Sequence, residues 1–198
     1  MFQNFSFEGY NVIHIDWDLP LENETLQNYA LRISENIKDE NAILIGLSFG
    51  GILSVEISKI KKFKKVFLLS SAKTKFEIPF YYRFLGKLNL LRIIPSSILK
   101  RVNSLTYLVF GAKTNAEKSL LEDIVRNTDE KFLKWALHQI MNWKNEIYSE
   151  NIVHIQGDSD LILPHNFVKY DYLIKGGTHF MTLNQSKEIE TIIIENLL

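Results

Sequence analysis

Three residues, each set among small neighbours, have the types and order for nucleophilic chemistry. Ser48 stands in Gly46-Leu47-Ser48-Phe49-Gly50-Gly51, directly after the apolar run 42–45. Asp160, with Asp158 as the alternative acid, stands in Gly157-Asp158-Ser159-Asp160-Leu161-Ile162-Leu163-Pro164. His179 stands in Gly176-Gly177-Thr178-His179-Phe180. A serine hydroxyl attacks poorly until a base takes its proton. Imidazole is the best such base near neutral pH, and a carboxylate holds the ring in the right tautomer. An apolar run that enters Gly-x-Ser-x-Gly and leaves as a helical pattern matches a nucleophile elbow, a strand-to-helix turn that lifts one serine above the sheet edge. Its serine is strained, so side chains at Gly46 or Gly50 are expected to collide with neighbouring backbone. Gly51 is expected to let the next helix lie close to the sheet. On such a turn the acid and then the histidine follow on loops after later strands.

The elements around these loops predict an α/β fold, a mostly parallel sheet of about five strands flanked by helices. The strand candidates are Asn11–Ile15, Ala42–Leu47, Lys65–Leu69, Ile152–Gln156 and Tyr170–Ile174. Leu26, Tyr29, Ala30, Ile33 and Ile37 recur at helical spacing behind Thr25 as a cap. Ile189, Ile192, Ile193 and Leu197 form a further stripe. Residues from about 73 to 150 show no strand and read as a helical cap inserted in a single domain spanning 1–198. Thr114-Asn115-Ala116-Glu117 forms a capping box within it. The first half of this insertion is rich in Leu85, Leu88, Leu91, Ile93, Ile98, Leu105, Leu108 and their apolar neighbours. Packing of cap on sheet is expected to account for most of them, with a pocket for an apolar substrate group as the functional reading.

The bulk composition narrows the classes. The 198 residues are 46% hydrophobic, enough for a real core, and carry 23 basic and 23 acidic side chains. A net charge of zero gives no field favouring nucleic acid or an anionic membrane surface. There is no cysteine, hence no disulfide framework or thiolate metal site. No signal-peptide pattern and no bilayer-length apolar run is present, so no membrane span and a cytoplasmic location are expected. No metal-binding spacing and no phosphate-cradling glycine loop appears, which argues against a nucleotide-binding module. No cofactor is expected.

The segments GLSFGG, GDSDLILP and GGTHF, in that order, resemble the motifs of the α/β-hydrolase superfamily. The resemblance runs from Met1 to the end, with the cap weakly diagnostic. It implies Ser48 as nucleophile, His179 as base and Asp160 as the acid that orients it. Asp158 is left as a turn or cap residue. It also implies an oxyanion hole made partly by the backbone N–H of Phe49. His14 and His154 read as strand residues, His138 as a cap-helix residue, and His165 as a neighbour of the acid loop.

One part of the superfamily pattern is not met. The second oxyanion donor comes from a loop after an earlier strand, often marked by His-Gly or Gly-Gly, and no such segment is seen. Phe2–Tyr10 resembles the end of the helix that follows that loop, and Asn11–Ile15 the next strand. A strand would then be lacking between Asn11–Ile15 and the elbow strand. Each unmade buried hydrogen bond costs about 1–3 kcal/mol. The two strands are expected to pair directly, a partner chain to fill the slot, or the chain to start downstream of its true N-terminus. An open gap favours a homo-oligomer, and loss of one donor lowers turnover about 100- to 1000-fold. The resulting expectation is a serine hydrolase of ester, thioester or related acyl bonds on a small-molecule substrate with an apolar group. The alternative is a catalytically impaired protein of the same fold that binds a small apolar ligand or a partner.

Overall fold

The computed structural model describes residues 1–39 and 41–198. Its centre is a parallel four-stranded sheet in the order β1 (Ile43–Leu47), β2 (Lys65–Leu69), β3 (Ile152–Gly157), β4 (Tyr172–Ile174). Alternation along β2 shows why this sheet needs cover on both faces. Val66 and Leu68 point into a core with Leu26, Tyr29 and Ile33 of α1 (Leu26–Ser34) and Ile52 and Val55 of α2 (Phe49–Ser58). Phe67 and Leu69 point into a second core with Ile155, Ile174 and the helices that close the chain, α8 (Met181–Asn184) and α9 (Ser186–Glu195). Ile189 and Ile193, members of the predicted C-terminal stripe, are buried there. Thr25 caps α1 by accepting from the Asn28 N–H at 3.2 Å.

Between β2 and β3 the chain is helical: α3 (Phe80–Lys87), α4 (Ser96–Leu99), α5 (Ser104–Phe110), α6 (Asn115–Asn127) and α7 (Glu130–Met141). Thr114 and Glu117 form the predicted capping box of α6. The insert departs from expectation in its packing. Leu91 is buried, but Leu85, Leu88, Ile93, Ile98, Leu105 and Leu108 are exposed. Leu90, Ile94, Leu99, Val109 and Phe110 are partly buried, so packing accounts for about half of this apolar set and leaves the other half to solvent.

The N-terminal region brings the other corrections. Asn11–Ile15 joins no strand, so the sheet has four strands among the described residues, and β1 stands at its edge. Val12 and Ile13 are exposed, Ile13 at 75%, and His14 lies off the sheet in solvent. Apolar, branched residues favour a strand only where a neighbouring ladder receives them. Phe2–Tyr10 forms turns and no helix. It is held instead by Glu190 of α9, whose Oε1 accepts from the Ser6 N–H and Oγ–H, and by stacking of Phe5 on Phe7. Direct pairing of Asn11–Ile15 with β1 does not occur. The strand predicted from Tyr170 begins at Tyr172.

Candidate active site

β1 ends at Leu47 and α2 begins at Phe49, leaving Ser48 alone in the turn at φ 53° and ψ −120°. A non-glycine residue at that φ is strained and persists only where its surroundings hold it. Two contacts from the end of β2 do so. The Ser48 N–H donates to the Leu69 carbonyl at 2.9 Å, and the Ser71 hydroxyl donates to the Ser48 carbonyl at 2.7 Å. The glycines play unequal parts. A Cβ on Gly46 would lie 2.4 Å from the Gly50 carbonyl oxygen, and one on Gly51 would lie 2.3 Å from Ser71 Oγ. One on Gly50 would meet only the Trp17 ring, at 3.5 Å. The expected clash at Gly50 is therefore absent, because its Cβ position faces outward from the turn.

The loops after β3 and β4 bring the acid and the histidine to this serine. The His179 Nε2 lies 2.9 Å from Ser48 Oγ, and its Nδ1 lies 2.8 Å from Asp160 Oδ2. A carboxylate can only accept, so Nδ1 carries the proton and Nε2 is left to accept from the serine hydroxyl. His179 and Asp160 are buried, and Ser48 is half-buried. Close backbone contact makes this convergence possible. A Cβ on Gly157 would sit 2.2 Å from the Gly177 carbonyl oxygen, so the acid loop and the histidine loop touch through glycine. Gly111, at φ 75° after α5, lets the insert close on the same loop, where a Cβ would meet Thr178 at 2.3 Å. Phe110 then sets its ring edge-on to His179 at 5.7 Å.

Asp160 is held on both oxygens. Oδ1 accepts from the Ile162 and Leu163 N–H groups at 2.8 and 3.0 Å, while Oδ2 also accepts from Gln156 Nε2 at 3.3 Å. Burial pushes the carboxyl up. The charge and hydrogen bond of His179, with the two backbone donors, outweigh it and hold the group below its usual range. Asp158 instead caps a turn, accepting from Ser159 Oγ and the Gly176 N–H at 2.8 Å each. His165 lies against the Asp158 carbonyl at 3.0 Å.

Sequence reasoning missed Gln156. Its amide spans Asp160 and the Leu163 carbonyl, to which it donates at 2.7 Å, and its Oε1 lies 3.2 Å from His154 Nε2. Gln156 is fully buried, and buried polar groups must find partners, but one polar residue in an apolar run gave no sequence signal of which ones. His154 is buried as well, and burial, with the charge of Lys73, pushes its imidazole down to about 4. Its two ring nitrogens face the Lys169 carbonyl and Gln156 Oε1, and a neutral ring donates to only one of them.

Phe49 and Gly50 head α2 with N–H groups that have no partner among the described residues. A helix N-terminus with free N–H groups favours negative charge beside Ser48. Aromatic rings cluster around Phe49, the residue after the serine. Trp17 lies 5.6 Å from Phe49 and 5.3 Å from Phe132, and Trp135 lies 5.7 Å from Phe49. No group of metal-ligating side chains is found among the described residues.

Comparison with solved structures identifies the architecture. A lipase-esterase related protein from Clostridium acetobutylicum ATCC 824 superposes over 88% of this chain and 76% of its own, with TM-score 0.60 and 16% identity. The meta-cleavage product hydrolase of Pseudomonas fluorescens IP01 covers 96% of this chain and 73% of its own, with TM-score 0.59 and 13% identity. A hydrolase from Oleispira antarctica gives 87% and 72%, TM-score 0.56 and 14% identity. This chain has the α/β-hydrolase fold. Ser48 follows β1, and the loops that carry Asp160 and His179 follow β3 and β4, at the carboxyl edge where open parallel sheets present ligand sites. No protein-family model matches the chain, and no curated protein matches it in sequence. No described helix is long and apolar enough to cross a membrane.

Proposed function

We propose that this chain is a serine hydrolase of the α/β-hydrolase superfamily, cleaving an ester, thioester or related acyl bond. The observation that carries the reading is the 2.9 Å contact between His179 Nε2 and Ser48 Oγ, made by a serine held at positive φ. Ser48 Oγ attacks the acyl carbon as His179 takes its proton, and Asp160 steadies the imidazolium. The tetrahedral oxyanion draws on the Phe49 N–H and the α2 N-terminus. The intermediate collapses as His179 returns the proton to the leaving group, and water repeats the sequence to free the acid and Ser48. The reading takes 1–198 as one hydrolase-like domain, with the insert at about 73–150 as its cap. The apolar cluster of Trp17, Phe49 and Phe132 beside the serine turn is the feature that supports an apolar group on the substrate.

A fluorophosphonate probe tests this directly. The folded protein should gain one covalent adduct that Ser48→Ala loses, and should turn over p-nitrophenyl esters. No adduct and no turnover, with an apolar ester still raising the melting temperature, would replace hydrolysis with binding alone.

A further inference from the structure

The whole-chain charge of zero hides a segregation. Residues 73–113 hold eight of the 23 lysines and arginines but one of the 23 acidic residues, Glu77, leaving 15 bases against 22 acids elsewhere. Glu77 is buried, but so is Lys73, and Lys75 pairs with Glu146, so these three add no free charge to the surface. The same segment contains the apolar residues that fail to pack. Along α3, Phe80, Phe84 and the capping Leu88 recur every four residues, which sets them on one side of the helix. They are 66%, 60% and 52% exposed. Arg83 and Lys87 share a shallow depression of about 420 Å³ with Phe80, Tyr81 and Phe84. Among the described residues no carboxylate pairs with either cation, and Arg83 Nε is buried without a hydrogen-bond partner.

Scattered apolar side chains at a surface are ordinary. An apolar helix face flanked by two unpaired cations, in a segment almost without acids, has the chemistry of a surface that lies on anionic lipid. We propose that α3 docks this protein peripherally on an anionic phospholipid bilayer. Phe80, Phe84 and Leu88 enter the headgroup boundary, and Arg83 and Lys87 meet lipid phosphates. Two cations and a short apolar face give weak, reversible binding that depends on both parts. This docking does not depend on the hydrolytic reading, since Ser48 takes no part in it.

Vesicle flotation of the full chain tests the proposal. The protein and its Ser48→Ala variant should both float with phosphatidylcholine vesicles containing phosphatidylglycerol at low ionic strength. Neither should float with pure phosphatidylcholine, and 1 M salt should release them, because screening shortens to about 3 Å. The Arg83→Gln/Lys87→Gln variant should bind about 30-fold more weakly, at roughly one lipid-facing charge's worth of attraction per cation. Phe80→Ser/Phe84→Ser should not float while keeping the wild-type circular dichroism. A Phe84→Trp variant, which keeps the apolar face, should show blue-shifted emission on anionic vesicles. The proposal is overturned by no flotation, by equal flotation on neutral vesicles, or by an unshifted tryptophan at position 84. Self-association that Phe80→Ser/Phe84→Ser abolishes would overturn it too, by showing that a second copy covers the face.

Discussion

At the carboxyl edge of the sheet, loops meet backbone against backbone. In the helical insert, α7 packs on the core while α5 and α6 are barely covered. Every residue of β3 is buried, and the loops that follow β3 and β4 approach through Gly157 and Gly177 with no room for a methyl group. By contrast α5 buries none of its residues, and α6 buries only Leu121. The difference teaches where position is fixed by sterics and where it is free. Catalysis needs groups held to within a few tenths of an ångström, and the proposed Ser48, Asp160 and His179 lie where chain packs on chain. The insert packs on that frame through Gly111 on Thr178, Phe110 on His179, and Phe132 and Trp135 of α7 on Phe49, and leaves an apolar, basic outer face on α3 to solvent.

The contrast can be broken most decisively at the serine. Ser48→Ala should lower ester turnover by about 10⁴-fold or more while the melting temperature stays near wild type. Retained turnover would detach the chemistry from the tightly packed edge.

Next in size are the glycines where backbone meets backbone. Gly157→Ala and Gly46→Ala should each cost about 3 kcal/mol or more by urea unfolding, because the atoms they meet cannot swing away. A shift below about 1 kcal/mol would show that the edge yields as readily as the insert.

The buried His154 makes the same region acid-sensitive. Its folded pKa is depressed to about 4, so the unfolded chain takes up its proton first as pH falls. The contribution is present in full above about pH 6.5, the ordinary histidine value, and is lost as pH falls from there to about 4. Stability should drop by something of order 3 kcal/mol across that window. Asp160, also depressed, adds to the loss at still lower pH. Urea melts of His154→Gln should show a flatter pH profile between 6.5 and 4.

Smaller effects sharpen the comparison. Gly50→Ala should be neutral or stabilising by up to about 1 kcal/mol, since its Cβ site is open and alanine favours the helix. Phe84→Ser, on the exposed face of α3, should change unfolding free energy by about 0.5 kcal/mol or less.

Much of the edge was legible in the chain because its signals are local. The run into Gly46-Leu47-Ser48, the acid loop opening at Gly157 and the glycine pair before His179 each announce a strand end and a turn. Their order along the chain matched a known arrangement. Asn11–Ile15 carried the same kind of local signal and misled, because strand-forming residues still need a neighbouring strand beside them. Gln156 was invisible for the opposite reason. One polar residue in an apolar run says nothing until the partners it reaches are known. The charge of residues 73–113 lay in plain view but vanished in the whole-chain sum.

The order of residues alone marked the segments of β1 to β4, though it marked 11–15 as well, and it settled which serine lies on a turn that small neighbours permit and which helices begin at Thr25 and Thr114. These depend on contacts a few residues apart. Folding in three dimensions decided the rest: that His179 reaches Ser48 across 131 positions of sequence, that Gln156 supports Asp160, and that the apolar face of α3 is left to solvent. Such distances and exposures depend on which distant segments happen to lie side by side, and no local pattern encodes that.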